Sequence, residues 1–194
     1  NSGFTPDASI NWDQLAESTA TLVRFLDNVV TWNEDLNALE KQRIAASETR
    51  RLGLGVMGIA DMLNQLGVAY DSEQGSMMIE KVMEYITNAA YQASASIAKE
   101  KAPSPIFNDK TYMECPFVKE ALSEQTHNMI RKNGLRNIAI MSIAPTGSIS
   151  NIVLGYKGEE KNYIGVSGGV EPVFSVFYTR RSESSNKRFK VFHS

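Results

Sequence analysis

Cysteine and histidine are scarce in this 194-residue chain: Cys115 stands alone, and His127 and His193 are the only two histidines. A single thiol excludes an internal disulfide framework and a dithiol redox centre built from these residues. Two histidines so far apart give no cluster for a metal or for base catalysis. No apolar run approaches the roughly eighteen residues of a membrane-spanning helix, and no basic-plus-apolar leader opens the chain, so it reads as cytoplasmic with no membrane partner. Charge of one sign is lacking too. Lys plus Arg at 20 against Asp plus Glu at 22 leaves −2, without the broad basic field that direct DNA binding needs. Repeats, low-complexity tracts and a dividing linker are absent from the pattern, so residues 1–194 are expected to form one domain or part of one. Asn1 in place of an initiator Met suits a processed or excised piece.

What is present is an ordinary globular balance, 42% hydrophobic with 22% charged residues, enough to bury a core. One stretch stands out. Asn137 to Ser150 begins as a near-continuous apolar run, the pattern of a strand buried on both faces, and breaks at Pro145, Thr146 and Gly147. Proline fixes one backbone angle, glycine permits close approach, and Thr146, Ser148 and Ser150 add hydroxyls beside backbone N–H groups. A short helix from Ser148 to Leu154 would aim its unpaired N–H groups and positive dipole end at an anion such as phosphate. No Lys follows Gly147, so this is not the Gly-Lys-Ser/Thr loop of nucleotide triphosphatases. An ordinary strand-to-helix turn is the alternative.

Along the rest of the chain, Asn11 with Gln14 forms a capping-box pattern for a first helix. Its apolar side is expected to be Leu15, Leu22, Leu26, Val29 and Val30, joined by Thr19 and Val23. Trp12 and Trp32 bracket it as core or rim anchors. A second short helix lies between Asn33 and Ser47. Gly53, Gly55 and Gly58 match the dinucleotide fingerprint G-x-G-x-x-G, yet no buried strand precedes them, and close packing explains them better. Arg50 and Arg51 read as solvated or paired with carboxylates such as Glu48 rather than as phosphate ligands. Asp71 or Ser72 caps a long helix reaching Lys99; 101–116 is a surface loop carrying Cys115; Phe117 to Lys132 is one helix, stopped by Gly134 and exposing His127. Residues 155–165 look like an inserted loop, and a strand is expected from Val173 to Thr179.

Several of these segments, taken in order, resemble a known family. Leu26-Asp-Asn-Val29, Arg50-Arg-Leu-Gly-Leu-Gly-Val-Met-Gly-Ile-Ala-Asp61, Gly134-Leu-Arg-Asn137, Ser142 to Ser150 and Ser167-Gly-Gly-Val-Glu-Pro172 resemble the later part of the ribonucleotide reductase catalytic subunit, in wording closest to its adenosylcobalamin-dependent (class II) members. The resemblance implies an α/β fold: a helix-rich part of a ten-stranded α/β barrel, completed by another stretch of polypeptide. It implies that Ala144, Pro145, Thr146, Gly147, Ser148, Ile149 and Ser150 grip the phosphates of a ribonucleoside di- or triphosphate. It also implies that no catalytic residue lies in this chain. The radical-bearing cysteine would belong to an N-terminal reductase polypeptide, adenosylcobalamin would be bound mainly by the complete subunit, and a thioredoxin-like reductant would restore the thiols. The chemistry implied is hydrogen abstraction from the ribose by a thiyl radical, loss of the 2′ hydroxyl as water, and reduction by two thiols.

Two other readings compete with that enzyme. A non-catalytic nucleotide-binding or structural module would keep the loop without the cysteines. A Rossmann oxidoreductase would bind a nicotinamide cofactor around Gly53 to Gly58.

Overall fold

The computed structural model describes residues 8–153, 156–157, 162–163, 165–166, 168–173, 175, 177–181 and 186–192. Leu154, Ser167, His193 and the first seven residues lie outside them. The chain divides into two compact units, Ile10–Gly55 with Met78–Ile143, and Asn1–Ser9 with Val56–Met77 and Ala144–Ser194.

The first unit is built on helices. Helix α1 (Trp12–Asn33) starts where Asn11 Oδ1 accepts the Gln14 N–H at 3.1 Å, the expected cap. The face it buries is the expected one in part: Thr19 and Val23 lie on it, and Leu26 packs against the core, but Leu22 and Val29 do not. Thr19, Val23 and Asp27 point inward, while Leu22, Phe25, Val29 and Trp32 are exposed, Trp32 by 73%. Helix α2 (Glu40–Thr49) lies later than its apolar residues suggested and ends at Arg50, which takes the left-handed conformation at φ 47°. Helix α4 (Glu73–Lys101) buries Ala90, Ala93, Ser94, Ala95 and Ala98, the small-residue stripe that permits close helix contact. Within 101–116 a short helix α5 (Asp109–Met113) forms, so that stretch is not loop throughout.

The single helix expected from Phe117 to Lys132 is two, α6 (Pro116–Ala121) and α7 (Glu124–Asn133). Ser123 breaks it. Its Oγ accepts the Thr126 N–H and its own N–H donates to Asn88 Oδ1 at 2.7 Å, so a cap outcompetes helix continuation. Gly134, at φ 74°, stops α7 as expected. His127 is not exposed: its side chain is 12% accessible, and Nε2 lies 2.7 Å from the Val118 carbonyl. The core gathers Val23, Leu54, Tyr91, Ile97, Val118, Leu122, Ile130, Leu135 and Ile140.

Residues 52–54 and 138–142 run parallel in this unit. The Leu52 and Leu54 N–H groups donate to the Ala139 and Ile140 carbonyls, and the Ser142 N–H donates to Leu54, each at 2.8 Å, yet only Leu54 and Met141 form a ladder bridge. Ile140 is fully buried, whereas Ile143 is 59% exposed, so the apolar run is covered only in part within this chain.

In the second unit, helix α3 (Ile59–Gln65) buries Ile59, Ala60 and Leu63. Two antiparallel pairs follow: β1 (Tyr156–Lys157) with β2 (Asn162–Tyr163), inside the expected insertion, and β3 (Phe177–Arg181) with β4 (Arg188–Phe192). The expected strand from Val173 therefore sits later. The described residues are helix-rich, and a ten-stranded barrel is not formed within them. No described helix is long and apolar enough to cross a membrane.

Candidate functional site

The loop singled out by sequence is an exposed turn in the second unit. Ala144, Pro145, Gly147, Ser148 and Ile149 are exposed, Thr146 is half-buried and Ser150 is 1% exposed. Thr146 turns the chain at φ 54°, a left-handed conformation that threonine adopts at a cost of about 1–3 kcal/mol. The helix that follows is a single 3-10 turn, Ile149–Ile152, shorter than the expected Ser148–Leu154. One turn sums few peptide dipoles, so local N–H groups matter more here than a macrodipole.

Among the described residues, the N–H groups of Thr146, Gly147, Ser148 and Ile149 meet no acceptor. The first internal bond is Ser150 N–H to the Thr146 carbonyl at 3.0 Å. Four successive unpaired donors on an exposed turn can receive an anion. The hydroxyls divide differently from the sequence expectation. Ser150 Oγ donates back to the Gly147 carbonyl at 3.2 Å, and Asn151 Nδ2 joins it at 3.1 Å, so these two brace the loop. Thr146 Oγ1 is covered and without a partner. Ser148 alone presents an exposed side chain. A Cβ built on Gly147 would meet nothing within 4 Å, so no protein atom dictates glycine there, and the open space is available to a ligand.

Sequence reasoning missed the support beneath this loop. A Cβ on Gly169 would lie 2.7 Å from the Pro145 carbonyl oxygen and 3.3 Å from Thr146 Oγ1. The only signal was the Gly168-Gly169 pair within a motif whose role the residues did not reveal.

Gly53, Gly55 and Gly58 are packing glycines. In the first unit a Cβ on Gly55 would sit 2.4 Å from the Ser142 carbonyl oxygen and one on Gly53 3.8 Å from Ser142 Cβ. Protein occupies the place where a dinucleotide's pyrophosphate would lie.

Arg50 is neither solvated nor paired with Glu48. Its side chain is 3% accessible, with Nε 2.9 Å from Asp27 Oδ1 and Nη1 2.9 Å from Glu34 Oε1, while Nη2 donates to the Asp27 carbonyl and to Thr31 Oγ1. Asn137 Nδ2 donates to Asp27 Oδ1 and to the Arg50 carbonyl, both at 3.0 Å, and Ser94 Oγ donates to Asn137 Oδ1 at 2.8 Å. Arg136 Nε stands 3.4 Å from Asp27 Oδ1. Burial pushes the Asp27 carboxyl up, but the hydrogen bonds from Arg50 and Asn137, with the charges of Arg50 and Arg136, together hold it below its ordinary value. With four of its five N–H donors engaged inside the protein and its side chain 3% accessible, Arg50 is not placed to receive a phosphate. Arg51 beside it is exposed.

A separate groove of about 630 Å³ in the first unit is walled by Trp12, Lys81, Tyr85, Asn88 and Gln92. Trp12 packs edge-on against Tyr85 at 4.9 Å, as an anchor rather than a stacking platform. Asn88 and Gln92 are committed to Ser123, Ala121 and Thr126. Among the described residues no group of His, Cys, Asp or Glu could hold a metal.

Comparison with known proteins bears on this geometry. The family model described as "Ribonucleotide reductase, barrel domain" matches residues 2–193. A vitamin B12-dependent ribonucleoside-diphosphate reductase of Mycobacterium tuberculosis (strain CDC 1551 / Oshkosh) is 34% identical over 176 residues, covering 90% of this chain and 21% of that protein. Its namesake in Thermoplasma acidophilum is 32% identical over 182 residues, covering 94% and 20%. A ribonucleoside-diphosphate reductase subunit alpha of Chlamydia muridarum is 28% identical over 201 residues, covering 92% and 18%. The chain thus spans about a fifth of the length of the curated relatives it matches.

Proposed function

The chain belongs to the ribonucleotide reductase barrel-domain family, and from that membership we propose that it is the part of a reductase catalytic subunit that receives the substrate's phosphates. Ala144 to Ser150 are the receiving loop. The observation that carries this is the run of four N–H groups from Thr146 to Ile149 that meet no acceptor among the described residues, on an exposed turn. Such a turn suits a polyanion without a lysine, because aligned amides supply the positive potential. The relatives' names favour a ribonucleoside diphosphate over a triphosphate.

In the complete enzyme these residues would form one portion of a ten-stranded α/β barrel, with 155–165 an insertion and the remaining strands supplied by polypeptide outside this chain. The radical cysteine lies there too. A thiyl radical takes a hydrogen from the ribose, the 2′ hydroxyl leaves as water, and two thiols become a disulfide that a thioredoxin-like reductant reopens. This chain's contribution is alignment. Holding the phosphates fixes the ribose against the radical, and misplacement by about 1 Å can cost on the order of 10²-fold in rate.

Vitamin B12 in two relatives' names supports adenosylcobalamin as the radical source of the complete enzyme. Among the described residues none is singled out as its holder, and its cobalt, carried by the cofactor's own ring, needs no cluster of protein ligands. By resemblance the cofactor would be bound mainly by the complete subunit.

The test is the complete subunit carrying Gly147→Val with Ser148→Ala. KM for the ribonucleoside diphosphate should rise about tenfold or more, with thermal unfolding unmoved, since the space at Gly147 is open. Unchanged kinetics overturn the assignment.

A further inference from the structure

We propose that Gly169, backed by Gly58, is the positioning residue that sets the shape of the phosphate-receiving loop. This rests on the phosphate reading above. Three layers of backbone stack within the second unit. At the bottom lies the start of α3, where Gly58 N–H donates to the Gly169 carbonyl at 2.7 Å and Ala60 N–H to the Val170 carbonyl at 3.1 Å. In the middle lies Gly169 itself, at φ 118°, a backbone conformation that side-chain-bearing residues rarely adopt.

On top lies the loop. A Cβ at Gly169 would fall 2.7 Å from the Pro145 oxygen, 3.3 Å from Thr146 Oγ1 and 3.6 Å from the Gly147 nitrogen. Two of those three atoms are backbone, so they yield only if the turn itself moves. The same turn contains the left-handed Thr146, whose hydroxyl is covered without a partner. A threonine keeps such a conformation only where its surroundings impose it, and Gly169 lies so near that a Cβ on it would come within 3.3 Å of the Thr146 hydroxyl.

Gly58 closes the stack from below. It sits at φ 75°, and a Cβ there would come 3.0 Å from Val166 Cγ2. Val166 N–H donates in turn to the Val153 carbonyl at 3.0 Å, at the far end of the 3-10 turn. Both ends of the receiving loop therefore lean on residues whose height Gly58 and Gly169 determine. A Cβ at Gly169 would intrude on the turn that carries the four open amides.

The experiment compares Gly169→Ala, Gly58→Ala and Gly58→Ala with Val166→Ala in the complete subunit. It reads KM for a ribonucleoside diphosphate, the Kd of the same ribonucleoside without phosphates, and thermal unfolding. Gly169→Ala is expected to raise KM about tenfold or more while nucleoside affinity stays within twofold. Gly58→Ala should shift KM in the same direction by less, and trimming Val166 should recover part of it.

Equal losses for phosphorylated and unphosphorylated ligand make the glycines merely structural and overturn the inference, as does an unchanged KM for Gly169→Ala. Should Gly169→Ala not fold, the Gly58 pair decides on the same readouts. If the Gly147→Val, Ser148→Ala variant raises KM and the glycine variants do not, this inference fails alone. If neither set does, the phosphate reading fails with it.

Discussion

Taking the charge from Asp27 should loosen α1 by about 3 kcal/mol, the low end of the range for breaking a buried ion pair from one side. The carboxylate is fully buried and bonded to Arg50 at 2.9 Å, so Asp27→Asn leaves a guanidinium that is 3% accessible facing a neutral amide. Two features soften the loss. Asparagine retains an oxygen for Arg50 Nε, and Glu34, 36% accessible, still receives Nη1 at 2.9 Å. Arg50→Met is a comparable loss: Asp27 would then keep Asn137 at 3.0 Å, Arg136 at 3.4 Å and Lys101 at 3.8 Å, without the fork that fits it. Removing both charges leaves no orphan ion, so the double variant should fall short of the sum of the singles by about 1 kcal/mol or more. Hydrogen exchange of the α1 amides reads this local opening free energy whatever the rest of the subunit does. The acid behaviour has a defined sign. A carboxyl held below its ordinary value contributes stability that is complete above about pH 4 and is lost as pH falls through the folded value. The gap between wild type and Asp27→Asn should therefore close in acid. Additive singles, single effects under about 1 kcal/mol, or a gap that persists at low pH would refute the reasoning.

Two further substitutions test the packing. Gly55→Ala sets a Cβ 2.4 Å from the Ser142 carbonyl oxygen and should cost about 1–3 kcal/mol, whereas Gly53→Ala, with its nearest contact at 3.8 Å, should be far milder; exchange of the Leu54 and Ser142 amides distinguishes them, and equal effects would count against the packing role. Ser123→Ala removes the cap on Thr126 and should release the first turn of α7 by about 1 kcal/mol, read from exchange of its amides. No change there would mean Asn88, also bonded to Thr126 and Ser123, holds that end alone.

The sequence revealed local features well and long-range pairing poorly. Asn11, Ser72 and Gly134 act on residues within one turn, so their capping roles could be read from neighbours. The inward face of α1 could only in part: Thr19, Val23 and Leu26 were expected on it, and Asp27 was not. Periodicity counts apolar residues, and this helix turns Asp27 inward because an arginine 23 positions beyond it and an asparagine 110 beyond it pair with the carboxylate. Leu22 and Val29, expected inside, are exposed. The loop was legible as a turn with anion chemistry, but counting hydroxyls misjudged which groups face outward. Ser150 bonds its own loop and Thr146 is covered, both set by hydrogen-bond competition that composition does not encode. Gly169 was invisible as a support because its need for glycine arises from residues 22 to 24 positions earlier.

The five matched segments separate physically into two groups, and this changes what the family pattern means for each residue. Leu26 to Val29, Arg50 and Gly134 to Asn137 converge on one buried ion network through Asp27, Arg50, Arg136 and Asn137. Their identities are explained by the pairing of opposite charges away from water, where removing one partner would be costly, although among the described residues Asp27 Oδ2 accepts and Arg136 Nε donates no hydrogen bond. Gly58, Ala144 to Ser150 and Gly168 to Pro172 converge instead on an exposed turn whose amides lack acceptors. Two of them, Gly147 and Thr146, satisfy no need among the described residues: Gly147 has space for a side chain, and Thr146 carries strain without a compensating bond. An arginine pair at Arg50 and Arg51 is therefore weaker evidence of a phosphate site than an unpaired amide at Gly147. In the first the protein has already used the charge, and in the second it leaves hydrogen-bonding capacity open for something it does not itself supply.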